Sequence, residues 1–175
     1  MSDLSVMVVG CGDVGGRLAK QMLAKGWQVS GLRRSVGQLP AGVQPIAADL
    51  AEPSIPQAWP QGPLDYLVYC VAASQHDEAG YQAAYVDGLR HVLAWLAERG
   101  QRPRRLLFVS SSSVYAQKGG EWIEEGAATV PEGYSGRVML EAERLALASG
   151  IPASVVRLTG IYGPGREWLL SQVRQ

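Results

Sequence analysis

Lysine is scarce in this chain of 175 residues: Lys20, Lys25 and Lys118 are the only three, and none lies beyond position 118. Histidine and cysteine are scarcer still. His76, His91, Cys11 and Cys70 show no zinc-like spacing, so no metal site is expected. Two cysteines are most simply reduced thiols of a cytoplasmic protein. Apolar runs such as 66-YLVYCVAA-73 are far too short to span a bilayer. The opening MSDLSVMVVG lacks the basic region of a signal peptide and is needed as a strand. Neither sign of charge is in excess, with 16 basic and 16 acidic residues. No net field therefore draws the chain to nucleic acid or to an anionic membrane. What remains is a chain with 47% apolar and only 18% charged residues, which excludes disorder and suffices for one domain with a substantial core.

Short β-rich runs alternate with longer stretches of helical periodicity. LSVMVV (4–9), WQVSGL (27–32), LDYLVYCV (64–71), RRLLFVS (104–110) and PASVVRL (152–158) read as strands. VQPIAAD (43–49) is a weaker one, because Pro45 lacks a ladder donor. Helices are predicted over 14–25, 78–99 and 135–149, stopped by Gly26, Gly100 and Gly150. Residues 50–63 read as loop. Strands alternating with helices imply right-handed crossovers, a parallel sheet and helices on both faces. The predicted fold class is thus α/β, a doubly wound parallel sheet.

The segment 6-VMVVGCGDVGGRLAKQML-23 holds G-x-G-x-x-G as Gly10, Gly12 and Gly15, directly after a strand and opening a helix. Gly10 permits a tight turn, Gly12 lets the backbone approach a diphosphate, and Gly15 lets the helix pack closely on the strand. The helix start offers free N–H groups to phosphate, which brings Cys11, Asp13 and Val14 into the candidate site. A residue in the place of Cys11 is more simply small than reactive. An NAD site carries an acid about 20 positions on. Here that place holds Arg33, followed by Arg34. Two guanidinium groups suit a 2′-phosphate, so NADP(H) is preferred over NAD(H). Asp49, after the third strand, either bonds the adenine or forms a turn.

The segments 6-VMVVGCGDVGGRL-18, 48-ADL-50, 71-VAA-73, 107-LFVSSSSVY-115 and 156-VRLTGIYGPGR-166 occur in an order that resembles the extended short-chain dehydrogenase/reductases of the NAD-dependent epimerase/dehydratase group. The resemblance implies a Rossmann NAD(P)-binding domain over 1–160. It implies the start of a substrate lobe over 161–175, the lobe itself being largely missing. It implies a small-molecule substrate, often a nucleotide sugar. It adds Leu50, Val71, Ala72 and Ala73 to the cofactor-binding residues, and it puts Ser111 at the catalytic Ser/Thr position. Arg157 and the Gly163–Pro164–Gly165 turn would lead towards the substrate lobe.

The catalytic tyrosine of that family has a lysine four residues later. No tyrosine here does. In one register Tyr134 is the tyrosine and Val138 stands at the lysine. In the other, which fits 137-RVMLEAERL-145 better, Ser135 and Met139 take the two places. A phenol without a neighbouring cation is a poor base at neutral pH. Arg137, within a turn of Tyr134, is the nearest substitute cation. Tyr85 stands where the family keeps an asparagine. Glu121, Glu124 and Glu125 read as a solvated face, and Trp95, Trp122 and Trp168 as core or lid residues.

Two functions therefore stand open. One is hydride transfer on a sugar-type substrate, with Ser111 orienting it and Tyr134 as a compromised base. The other is a non-catalytic NADP(H)-binding sensor or regulatory module. A homodimer is a further expectation, formed through an apolar face that the missing lobe would otherwise cover.

Overall fold

The computed structural model describes residues 4–117 and 119–173, without the side chains of 168–170. Lys118 and the Trp168 side chain thus lie outside the described residues. Six parallel strands form one sheet in the order β3-β2-β1-β4-β5-β6. They are β1 (Ser5–Val9), β2 (Gln28–Arg33), β3 (Gln44–Ala47), β4 (Tyr66–Tyr69), β5 (Arg105–Ser111) and β6 (Ala153–Leu158). The doubly wound α/β architecture follows from the positions of the helices. Helix α1 (Asp13–Ala24) packs Leu18, Ala19, Met22 and Leu23 against Val6, Val8 and Val29 on one face. Helices α3 (Gly88–Glu98) and α4 (Tyr134–Leu147) pack Leu89, Val92, Leu96, Met139 and Ala142 against Met7, Leu67 and Phe108 on the other. Strands covered on both faces must be apolar throughout, which is why VMVV and LLFV read as continuous runs. Pro45 is accommodated because β3 is an edge strand.

The predicted helix 78–99 is not uniform. It starts as α2 (Glu78–Tyr81), widens into a π-helical stretch (Gln82–Asp87) and resumes as α3. The cause is Tyr69 at the end of β4. Its buried hydroxyl donates to the Ala84 carbonyl at 2.5 Å and so competes with the helix's own bonding. A Cβ on Gly88 would come within 2.6 Å of that hydroxyl, so the crossing needs a glycine there. A short helix α5 (Trp168–Val173) follows β6.

Candidate functional site

Strands β1 and β4 are neighbours at the centre of the sheet, and their connections leave in opposite directions. Open α/β sheets bind ligands at such a switch point, outside the carboxyl ends of the strands. A cleft of about 770 Å³ lies there.

Its floor is the glycine loop. The N–H groups of Gly10 and Cys11 both donate to the Leu32 carbonyl, at 3.0 and 3.1 Å, which ties the loop to β2. The first bond within α1 runs from Gly16 N–H to the Gly12 carbonyl at 2.8 Å. The amides of Asp13, Val14 and Gly15 precede it and have no carbonyl of their own helix to meet. The three glycines differ in what demands them. A Cβ on Gly10 would lie 2.6 Å from Val71 Cα, and one on Gly15 would lie 2.7 Å from the Gly10 carbonyl oxygen. Packing alone requires both. A Cβ on Gly12 would meet nothing nearer than 3.9 Å, and Gly12 lines the cleft. Its bare backbone leaves open the space a diphosphate needs, so these residues fit a dinucleotide.

Gly10, Gly12, Asp13, Val14, Arg33, Arg34, Asp49, Leu50, Val71, Ala72 and Ser111 all line the cleft. Cys11 and Gly15 lie beneath it, fully buried or nearly so. Burial pushes the Cys11 thiol pKa upward, and its amide is committed to β2, so neither group faces a ligand. Ala73 is not among the described lining residues, and its amide donates to the Tyr85 hydroxyl at 3.3 Å. Arg33 reaches back over the loop to the Cys11 carbonyl (3.4 Å) and to Gln38 Oε1 (2.9 Å), while Arg34 is exposed beside it. Asp49 accepts from the Ala51 amide at 3.1 Å, the bond of a turn former, and still borders the cleft.

The opposite wall is made by the end of β5 and the start of α4. Ser111 caps the 3₁₀ turn Ser112–Val114 by accepting from the Ser113 amide at 3.2 Å. Ser113, Ser135, Met139, Tyr81 and Tyr85 line the same wall. Tyr134 is not among the described lining residues. Its hydroxyl donates to the His76 carbonyl at 2.6 Å, and its ring packs edge-on against Tyr81 at 5.4 Å. The phase of α4 decides this. A Cβ on Gly136 would lie 2.1 Å from the Ser113 carbonyl oxygen, so the first turn of α4 is pressed against the serine turn at that residue. Ser135 and Met139 then face the cleft, and Val138 is buried in the core. Arg137 points outward, to the Glu132 carbonyl (2.9 Å) and Glu78 (3.6 Å). No lysine lines the cleft among the described residues.

Sequence reasoning missed a polar cluster behind this wall. Glu143 on α4 is only 2% exposed, and its Oε1 accepts from Ser110 Oγ at 2.6 Å. Arg157 on β6 forks onto it, Nε to Oε1 at 2.9 Å and Nη2 to Oε2 at 2.7 Å. Arg157 Nη1 donates to the Tyr115 hydroxyl at 2.7 Å. Hydrogen bonding to Glu143 raises the Arg157 pKa further, so its charge is permanent. A glutamate facing the apolar side of a helix was the available signal. Trp95 lies in the core and Trp122 is fully exposed. No helix among the described residues is long and apolar enough to cross a membrane.

Comparison with known proteins agrees with this fold. The NAD dependent epimerase/dehydratase family matches residues 6–173. The chain is 28% identical over 168 residues to Protein YeeZ of Escherichia coli, covering 93% of this chain and 60% of YeeZ. A solved structure from Methylobacillus flagellatus, provisionally described as an NAD-dependent epimerase/dehydratase, is 38% identical with a TM-score of 0.79. That match covers 99% of this chain and 60% of the other. Bordetella bronchiseptica WbmG, solved with NAD and UDP, shares the fold at 19% identity and a TM-score of 0.73, over 93% of this chain and 55% of its own. The chain thus spans about 60% of the length of its first two relatives.

Proposed function

The chain belongs to the NAD-dependent epimerase/dehydratase family, and from that premise we propose that its cleft binds a nicotinamide dinucleotide, NADP(H) in preference to NAD(H), beside a sugar-type substrate. One observation carries the reading. Gly12 is the fingerprint glycine that packing does not require, and it opens onto a cleft that Arg33 and Arg34 line at the end of β2. A diphosphate against the start of α1 places the adenosine end towards β2, where two guanidinium groups suit a 2′-phosphate. Solved relatives holding NAD on the same fold support the nucleotide. The two free thiols suit a cytoplasmic setting.

The bound nicotinamide would supply hydride acceptance. The chain's own part is positioning. The Ser111 hydroxyl lies on the wall where a substrate oxygen would stand, and Ser113 and Ser135 extend that hydroxyl surface. Ser135 and Met139 occupy the cleft-facing helix positions of the family's tyrosine and lysine. With Tyr134 held by the His76 carbonyl, proton transfer lacks its usual base. That observation favours a second reading, an NADP(H)-binding sensor or regulatory module without turnover.

Calorimetric titration with NADP⁺ and NAD⁺ side by side tests the cofactor. Tighter binding of NADP⁺ is expected, with loss of the preference in Arg33→Ala/Arg34→Ala. Equal affinities in the unmutated protein would refute the arginine argument. Cofactor absorbance followed with candidate nucleotide sugars separates the two functions. Turnover supports the enzyme, and binding of NADPH without turnover by the full-length gene product supports the sensor.

A further inference from the structure

The turn after β6 folds back onto the glycine loop. Gly163 and Arg166 close it with paired backbone bonds of 3.2 and 2.8 Å. Arg17, on α1, donates from Nη2 to the Pro164 carbonyl at 2.9 Å. Arg166 donates from Nε to Asp13 Oδ2, and Arg17 Nε donates to the other oxygen of the same carboxylate at 2.7 Å. Residues 147 and 153 positions apart in sequence are thereby joined at the mouth of the cleft. Arg166 lines that cleft together with Gly10, Gly12 and Val14.

Asp13 is an odd residue for this place. A carboxylate suits the positive end of a helix, but it repels a diphosphate brought to the same amides. Two guanidinium groups on one carboxylate reverse the balance. Hydrogen bonds from Arg17 and then Arg166 hold the Asp13 pKa below the usual carboxylate range, so it stays ionised and keeps both partners. Arg17 is spent on Asp13 and Pro164. Arg166 is not: among the described residues only its Nε is engaged, and its two Nη groups have no acceptor. A planar guanidinium with a free N–H pair suits bidentate contact with a phosphate.

We propose that Arg166 is a ligand for the diphosphate of the bound dinucleotide. Asp13 acts as its counter-ion and not as a ligand, and the Gly163–Arg166 turn carries it to the cleft mouth. The proposal rests on the reading that the cleft takes a dinucleotide. It goes beyond that reading in drawing a ligand from outside the glycine loop. The rival is a merely mechanical role, in which the Asp13–Arg166 pair fastens the turn to α1.

Calorimetry of the full chain with NADP⁺ and ADP separates the two. Arg166→Ala is expected to weaken both ligands about tenfold, the loss of one charge-assisted phosphate contact, and Arg166→Lys to recover part of that loss. Asp13→Asn removes the counter-ion but keeps the Arg166 guanidinium at the cleft mouth, so it is expected to weaken both ligands clearly less than Arg166→Ala does. Adenosine 2′-monophosphate, which has no diphosphate, is expected to bind Arg166→Ala and the unmutated chain alike. Equal weakening by Arg166→Ala and Asp13→Asn, or no effect of Arg166→Ala, would overturn the assignment. If the unmutated chain binds neither NADP⁺ nor NAD⁺, the dinucleotide reading itself falls, and the role of Arg166 falls with it.

Discussion

The Glu143–Arg157 pair offers the sharpest test of how the cleft wall is held. Glu143 is 2% exposed and accepts three hydrogen bonds, from Ser110 and from two nitrogens of Arg157. Glu143→Gln keeps the shape and removes the charge. The new NH₂ group would then face donors, and the Arg157 guanidinium, with its side chain 23% exposed, would lose its counter-ion. Removing one member of a buried pair costs about 3–5 kcal/mol. Partial access of water to Arg157 puts this case at about 3 kcal/mol, near the lower end of that range. Domains of this kind have a total stability of about 5–15 kcal/mol, so the loss is a large fraction. The melting temperature should fall by about 6–12 °C. Glu143→Leu/Arg157→Leu removes both charges and should cost clearly less than the sum of its two single changes. Urea denaturation of the unmutated chain, Glu143→Leu, Arg157→Leu and the double change gives the coupling directly. Additive single costs, or a Glu143→Gln change below about 1 kcal/mol, would refute the idea that this ion pair braces α4 against β6.

Gly136→Ala should destabilise by about 2 kcal/mol, because the added carbon meets a backbone oxygen at 2.1 Å and the Pro131 side chain at 2.5 Å. The better helix propensity of alanine, about 1 kcal/mol, cannot offset a clash with backbone; a raised urea midpoint would count against the contact. Cys70, whose Sγ donates to the Gly10 carbonyl at 3.3 Å, has its thiol pushed up to about 12 by burial. It should resist thiol reagents at pH 8 until the protein unfolds. The unfolded chain releases this proton near pH ~8.5 while the folded one retains it. Stability from this group is therefore full below about pH 8.5 and declines as pH rises towards the folded value, a slope that Cys70→Ala should reduce in urea midpoints.

Much of the architecture was written locally. Strand runs such as LLFV, the helical spacing of 14–25, and the stops at Gly26, Gly100 and Gly150, all with positive φ, depend on neighbours in the chain. So did the glycine loop, because a strand, a tight turn and a helix start occupy consecutive residues. Other features arise from contacts between distant segments. The widened turn at 82–87 needs a phenol from β4. The choice between Tyr134 and Ser135 as the cleft-facing residue depends on how α4 is rotated. A rotation of one residue, about 100°, is invisible to periodicity. It is settled by the approach of Gly136 to the Ser113 carbonyl.

The polar partners behave in the same way. Ser110, Glu143 and Arg157 lie on three different elements and meet only when the sheet is assembled, as do Asp13 and Arg166. Sequence by itself therefore determined the fold class, the glycine loop and the fact that no tyrosine is followed four residues later by a lysine. Tertiary structure alone decided which side chains face the cleft and which charges neutralise one another. Short-range pattern encodes the path of the backbone, whereas helix phase and ion pairing are settled by the packing of segments far apart in the chain.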